Sequence, residues 1–372
     1  MRGSESVTEV VRRIDGGRND LPARLRRMAR LALPADARVA MVAREPSALE
    51  DLGVPTLVRF PETAEVSPET GDQPLIEELE RLRSDRLHFL LVPADQLPWF
   101  TAHEELKQHV ESRCRLVLDE EETGTVFALQ DPADMPADGI GRDGLPVPPP
   151  EMVRLVVGMF DFENIYEPFV TLSELGAASI RETLSRNDLD IADFDSILDF
   201  GCGCGRMMRQ WRSLTGTGLH GSDYNPYLVG WCRANLPFAE FTVNGVAPPL
   251  DYADGQFDFV YALSVFTHFI EALQVPWARE IARVLRPGGI ALVSLSGLRQ
   301  FQLEGEPDRA RFEAGEPVIL REERAGTNDV AVFHPEQYVR EVLAPQAGFE
   351  ILAYVLNGQP DMDQDAVLLR RT

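Results

Sequence analysis

Residues 196–211 read SILDFGCGCGRMMRQW: an apolar run, then three glycines at alternate positions, then a second apolar pattern with nothing between them. Ile197, Leu198 and Phe200 predict a buried strand. Gly201, Gly203 and Gly205 come next, where a backbone turning from strand to helix needs positive φ, or where a ligand approaches the main chain closely. A dinucleotide fingerprint demands GxGxxG, but the position after Gly205 is Arg206 and the spacing is GxGxG. The stretch is therefore read as a nucleotide-type cofactor loop of another kind. Glycines also serve a tight turn for its own sake, so the reading depends on the segments downstream of Trp211.

Those segments keep the distances of a βαβ unit. Residues 219–225, LHGSDYN, predict a second strand ending in Asp223, about twenty residues past the loop, where the ribose-binding acid of such folds lies. Residues 241–244 predict a third strand. Residues 250–269, LDYADGQFDFVYALSVFTHF, carry a fourth, and residues 280–295, EIARVLRPGGIALVSL, read as helix, RPGG turn and fifth strand. With Asp199 two residues before the first glycine, these motifs in register resemble the class I S-adenosylmethionine (SAM) dependent methyltransferases. Residues 250–269 in particular are similar to that family's "PfpDgsFDxVxxxxvlxH" segment. The resemblance covers roughly residues 152–372 and implies a Rossmann-like α/β fold: a seven-stranded, mostly parallel sheet with helices on both faces. It further implies SAM as cofactor and methyl transfer as the activity.

Carried over position by position, the resemblance puts Gly201, Cys202, Gly203 and Gly205 beside the methionine and ribose parts of SAM. Asp223 is then expected on the ribose hydroxyls with Tyr224 next to it, and Asp199 behind the loop or at the ammonium group. Asn244, followed by Gly245, stands where the family has an acid that meets the adenine amino group. An amide oxygen accepts the same hydrogen bond without charge. Ser264 and Val265 fall where the methionine end points toward the acceptor. Asp223 has a second reading as a cap for the helix starting near Pro226, but Asn225 is expected to do that job. His268 is either a locally packed histidine or a general base. Methyl transfer is an in-line displacement that chiefly needs alignment, so a base helps only an acceptor with a proton to lose. A small-molecule or glycan-like (saccharide) acceptor is expected, with O-methylation favoured over N-methylation. Two alternatives remain: a non-catalytic SAM-binding relative, and an NAD-dependent oxidoreductase, against which the missing third glycine counts.

The 372 residues suffice for two cores. A formal net charge of −24 opposes a nucleic-acid partner, since an acidic surface repels phosphates. The small basic cluster Arg24, Arg26, Arg27 and Arg30 reads as the solvated face of an amphipathic helix. No apolar run of about eighteen residues occurs and the first residues lack a signal-like stretch, so a cytoplasmic protein without a membrane partner is expected. Four cysteines without framework spacing fit a reducing compartment, and Cys202-x-Cys204 lacks the spacing and further ligands of a zinc site, so no metal is expected. Arginine supplies nearly all the basic charge, Lys107 being the only lysine, which hints at a high-GC, bacterial coding sequence.

Residues 131–150, with Pro132, Pro136, Pro146, Pro148, Pro149 and Pro150, are expected to be a linker carrying few contacts between a domain at 1–130 and one at 151–372. In the first, residues 37–43, 55–60 and 87–94 predict strands, residues 75–85 and 102–112 helices, and residues 114–130 a hairpin turning near Gly124. This small α/β accessory domain resembles Rossmann-like domains only generally, and no glycine loop succeeds its first strand. Residues 152–188 predict helix, with Tyr166 and Phe169 as candidates for a lid over the cofactor or for the core. Residues 296–332 form a long charged insertion, expected as a functional or mobile substrate cover. Residues 334–356 predict a helix and sixth strand, and residues 363–372 the last strand.

Overall fold

In the computed structural model the residues described are 6–15, 20–43, 52–62, 71–130, 139–158, 165–359 and 363–372. The first part of the expected linker, 131–138, lies outside them. The chain divides into two units, one of Met1–Asp15, Pro136–Pro148 and Tyr166–Thr372, the other of Gly16–Met135 and Pro149–Ile165. This differs from a division at 131–150. The opening helix α1 (Val7–Asp15) goes with the larger unit because Val10 and Ile14 are buried in that unit's core. The proline-rich stretch at 139–148 goes with it too, because the buried Arg209 guanidinium is held by the Asp143 carboxylate and by the Leu145 and Pro146 carbonyls.

The smaller unit runs α2 (Leu21–Ala32), β1 (Arg38–Val42), β2 (Thr56–Phe60), α3 (Gln73–Ser84), β3 (Phe89–Pro93), α4 (Leu97–Ala102), α5 (Glu104–Arg113), β4 (Arg115–Glu120), β5 (Gly124–Ala128) and α6 (Pro150–Val157). Its sheet has the order β2-β1-β3-β5-β4, with β1, β2 and β3 parallel and β5 antiparallel to both neighbours. Side chains alternate across it as a period of two requires. Ala40, Val42, Leu90 and Val92 pack with Leu79 and Val110, while Val39, Met41, Phe89 and Leu91 pack with Leu25 and Met28. The expected hairpin is β4–β5.

The larger unit continues with α7 (Tyr166–Ser185), β6 (Ser196–Phe200), β7 (Gly218–Asp223), α8 (Pro226–Asn235), β8 (Glu240–Val243), β9 (Phe257–Ala262), α9 (Glu271–Val284) and β10 (Leu285–Leu295). Then come α10 (Leu298–Leu303), α11 (Arg309–Glu313), β11 (Val318–Leu320), β12 (Ala331–Phe333), β13 (Phe349–Gln359) and β14 (Gln364–Arg371). The seven-stranded sheet has the order β13-β14-β10-β9-β6-β7-β8. Five neighbouring strands, β10, β9, β6, β7 and β8, are parallel, and β14 is antiparallel to both of its neighbours. Leu198, Phe200, Val260, Ala262, Ala291 and Val293 face a core shared with α9 and α1. Ile197, Phe259, Tyr261, Ile290 and Leu292 face one shared with α7 and α8. This is the expected fold class, and it brings the carboxyl ends of five parallel strands to one edge, where open α/β sheets bind ligands.

One local expectation is corrected. No α-helix succeeds the glycine loop: the chain passes through turns into a short 3₁₀ segment, Met208–Trp211. Here the side-chain anchors of Arg209 and the buried Trp211 fix the backbone in place of a helical ladder. The insertion at 296–332 is ordered into α10, α11 and the β11–β12 hairpin, whose Phe301, Val318 and Phe333 form a small core of their own. Among the described residues no helix is long and apolar enough to cross a membrane.

Candidate cofactor and acceptor site

The glycine loop is tied to β7 by hydrogen bonds that use up its first amides. Gly201 and Cys202 both donate to the Ser222 carbonyl, at 2.7 and 3.1 Å, and Gly203 donates to Asp223 Oδ2 at 2.9 Å. Gly201, Gly203 and Gly205 all lie at positive φ, as the spacing predicts. A Cβ at Gly201 would meet Val265 Cγ2 at 2.3 Å, and one at Gly205 would meet Leu236 Cδ1 at 2.4 Å. These two glycines are thus required by the chain's own packing. Cys202 and Cys204 are buried; the hydrogen bond with Cys232 and then burial raise the Cys202 thiol well above the usual range, and burial raises that of Cys204. Among the described residues no group of three or more His, Cys, Asp or Glu side chains is placed to hold a metal.

Asp223 ends β7 with its carboxylate already engaged. Oδ1 accepts from the Asn225 amide at 2.9 Å, and Oδ2 accepts from Gly203. Asn225, in turn, caps α8 by accepting from Tyr227 and Leu228, at 3.0 and 3.4 Å. Burial raises the Asp223 pKa against the lowering effect of these backbone amides. Each carboxylate oxygen has a second lone pair, so a diol can still be accepted there. Tyr224 points elsewhere: its hydroxyl donates to the Gly326 carbonyl in the insertion. At the end of β8, Asn244 Oδ1 accepts from Ser222 Oγ at 2.7 Å while its Nδ2 donates to the Gly245 carbonyl, which leaves one lone pair on the amide oxygen.

Asp199 is the site's least satisfied group. It is buried on the α7 and α8 face of β6, and it accepts a hydrogen bond from Tyr261, whose hydroxyl receives Trp211 Nε1–H at 2.9 Å. Its Oδ2 has no hydrogen-bond partner. Burial pushes its pKa up to about 7, against the lowering effects of the Tyr261 hydrogen bond and the Arg206 charge. A buried carboxylate oxygen in that condition fits a cation. The SAM ammonium is a cation of the right kind.

Past β9, Ser264 sits at φ 56°, a left-handed conformation rare for a residue with a side chain. Three bonds hold it there. Its amide donates to Ser294 Oγ at 2.7 Å, its Oγ accepts from Gln364 Nε2 at 3.0 Å, and Ser294 Oγ donates to Gln364 Oε1 at 2.6 Å. His268 lies within one turn of it, with Nδ1 at 2.6 Å from the Val330 carbonyl oxygen. Burial lowers its pKa below the ordinary histidine value. Of the two lid candidates, Tyr166 donates to the Pro148 carbonyl and Phe169 is fully buried under the Arg209 guanidinium, so both serve packing.

Sequence reasoning missed Tyr261 and Ser294, which fall within the quoted segments without being singled out there, and Gln364 and Val330, which lie outside any motif. It also missed His334, whose ring is buried with neither nitrogen hydrogen-bonded.

Residues 198–293 match the family model of a methyltransferase domain. The larger unit thus holds a stretch similar to methyltransferase domains. Within this stretch fall the glycine loop, Asp223, Asn244, Ser264 and His268. A sterol 24-C-methyltransferase of Schizosaccharomyces pombe is 34% identical over 99 residues, 25% of this chain and 26% of that protein. An uncharacterized methyltransferase of Synechocystis is 34% identical over 114 residues, 30% of this chain and 52% of that protein. The chain thus spans from about a quarter to about half the length of these curated relatives. Among solved structures, a SAM-dependent methyltransferase from Methanosarcina mazei is similar with a TM-score of 0.38 and 22% identity, covering 48% of this chain and 92% of that one.

Proposed function

We propose that the methyltransferase domain binds SAM across the carboxyl ends of β6, β7 and β8 and methylates a small molecule at a hydroxyl, a saccharide hydroxyl included. The observation that carries the cofactor half is the unpartnered, buried Oδ2 of Asp199, two residues before the first glycine of the loop. Bound there, SAM supplies an electrophilic sulfonium methyl. Asp199 would hold the ammonium, Asp223 the ribose diol through its remaining lone pairs, and Asn244 Oδ1 the adenine amino group.

The acceptor half rests on His268. A carbonyl oxygen only accepts, so the Val330 contact puts the proton on Nδ1 and leaves the lone pair on Nε2. With its pKa lowered by burial, the ring is neutral at pH 7 and ready to take a proton from a hydroxyl. Ser264 and Val265, locked by the Ser294–Gln364 pair, lie in the chain between β9 and this base. The names of the curated relatives, a sterol methyltransferase among them, favour the small-molecule class. The test is transfer of labelled methyl from SAM to panels of hydroxyl and carboxylate acceptors. Label should go to hydroxyls and be lost in His268→Ala; equal labelling of carboxylates by the variant contradicts the oxygen-and-base reading.

A further inference from the structure

We propose that the stretch 321–332 of the insertion is a positioning element: its Val330 carbonyl selects the tautomer of His268, and Tyr224, beside the proposed ribose acid, holds the stretch in place. This rests on the reading of His268 as base but concerns a property measurable without any acceptor.

The geometry is a strap with tethers at both ends of the site. On the cofactor side the Tyr224 hydroxyl donates to the Gly326 carbonyl. On the acceptor side His268 Nδ1 lies 2.6 Å from the Val330 oxygen. Between them Ala325 and Val330 are buried in one core with Val10 and Ile14 of α1. Gly326, at φ 87°, leaves no room for a side chain, since a Cβ would meet Ile14 Cγ2 at 2.6 Å. Arg321 and Arg324 both pair with Asp329, at 3.4 and 3.1 Å, which stiffens the turn before Val330. The same two flanks bear on the ring, Arg321 lowering its pKa and Asp329 raising it, beside the dominant effect of burial.

The chemistry depends on which nitrogen carries the proton. A neutral imidazole can accept a proton only at the nitrogen that lacks one, and the hydrogen bond at the other nitrogen decides which that is. With Val330 in place, Nε2 is the basic atom. With the strap displaced, nothing enforces that choice, and Nε2–H forms of His268 cannot act as the base. Tyr224 comes directly after Asp223, so the strap joins the cofactor side of the site to the protonation state on its acceptor side.

The experiment is long-range proton–nitrogen correlation of the full chain labelled at histidine, with His268 assigned by the signals missing in His268→Gln. Wild type should show a pyrrole-type Nδ1 and a pyridine-type Nε2 for His268. Tyr224→Phe removes one neutral hydrogen bond from the strap, so the Nε2–H population should rise, by at most about fivefold, the whole worth of that bond. Gly326→Ala, which pushes the strap off Ile14, should raise it further. An Nε2–H tautomer in the wild type overturns the proposal, as does an unaltered tautomer in both folded variants. SAM titration of the same wild-type sample separates the two ideas: the expected tautomer without SAM binding removes the methyl-transfer reading and leaves the strap standing.

Discussion

Asp199→Asn changes a single atom of the side chain and should move stability and binding in opposite directions. In the folded protein the Asp199 pKa stands at about 7 against an ordinary 3.8. The folded state therefore holds this proton more tightly than the unfolded chain does. Stability is unaffected below pH 4, falls as pH rises from about 4 to 7, and above that carries a penalty of up to about 4 kcal/mol, at 1.36 kcal/mol per pH unit. The amide cannot ionise, so the variant should be more stable than wild type at pH 8 and no more stable at pH 4. For SAM the sign reverses. Loss of a charge-assisted hydrogen bond, about 1.5 to 3 kcal/mol, weakens binding by roughly ten- to a hundredfold. Wild-type affinity should also rise about tenfold from pH 6 to pH 8, as the ionised fraction climbs from about a tenth to nine tenths, and the variant should show no such slope. Urea unfolding of the larger unit at pH 4 and pH 8, with calorimetric SAM titration at pH 6, 7 and 8, reads both effects. A variant that binds SAM like wild type, or gains nothing at pH 8, refutes the assignment of Asp199 as a strained cation site.

Three further outcomes are expected from the same geometry. Asp223→Ala removes the acceptor for the Gly203 and Asn225 amides and, in the proposed function, for the ribose diol, so SAM should bind at least about tenfold more weakly in a folded variant; unchanged affinity by calorimetry argues for a ribose site elsewhere. A fragment starting at Glu151 omits Val10 and Ile14, worth roughly 1.5 to 3 kcal/mol each, and leaves the buried Arg209 without Asp143, roughly 3 to 5 kcal/mol more. Such losses rival the whole stability of a domain, so that fragment should fail to fold, and a urea midpoint equal to the full chain's would show that α1 and residues 139–148 are dispensable. His268→Ala should keep SAM affinity while slowing transfer by about a hundredfold or more. Because burial lowers the pKa of His268, the wild-type rate should climb through an ionisation below pH 6.5 and be flat above it, and that limb should be absent from the variant.

The sheet and the cofactor edge are legible in the sequence because their signals are contiguous. The loop at 201–205, Asp223 and its neighbour Asn225, and the alternation of Phe257, Phe259 and Tyr261 each fit within a few residues of sequence, where period and turn chemistry act. The illegible part lies between segments. Tyr261 reaches Asp199 from another strand, Gln364 holds Ser264 from the last strand, and Val330 meets His268 from an insertion whose composition signals only charge and solvent. Residues 139–148 of the expected linker carry contacts for a related reason: a proline-rich stretch poor in helix and strand can still be held by side chains, and Asp143 is bound by an arginine sixty-six residues away. The missing helix after Gly205 shows side-chain anchoring overriding a plausible local pattern, since Arg209 and Trp211 are both buried.

The claim that this edge of the sheet is a SAM site is tested most directly by calorimetric titration of the full chain with SAM and, separately, with NAD. The structure calls for a single SAM site that is weakened in Asp199→Asn and Asp223→Ala, with no heat of binding for NAD. Binding of NAD in preference to SAM, or SAM binding indifferent to both substitutions, would contradict it.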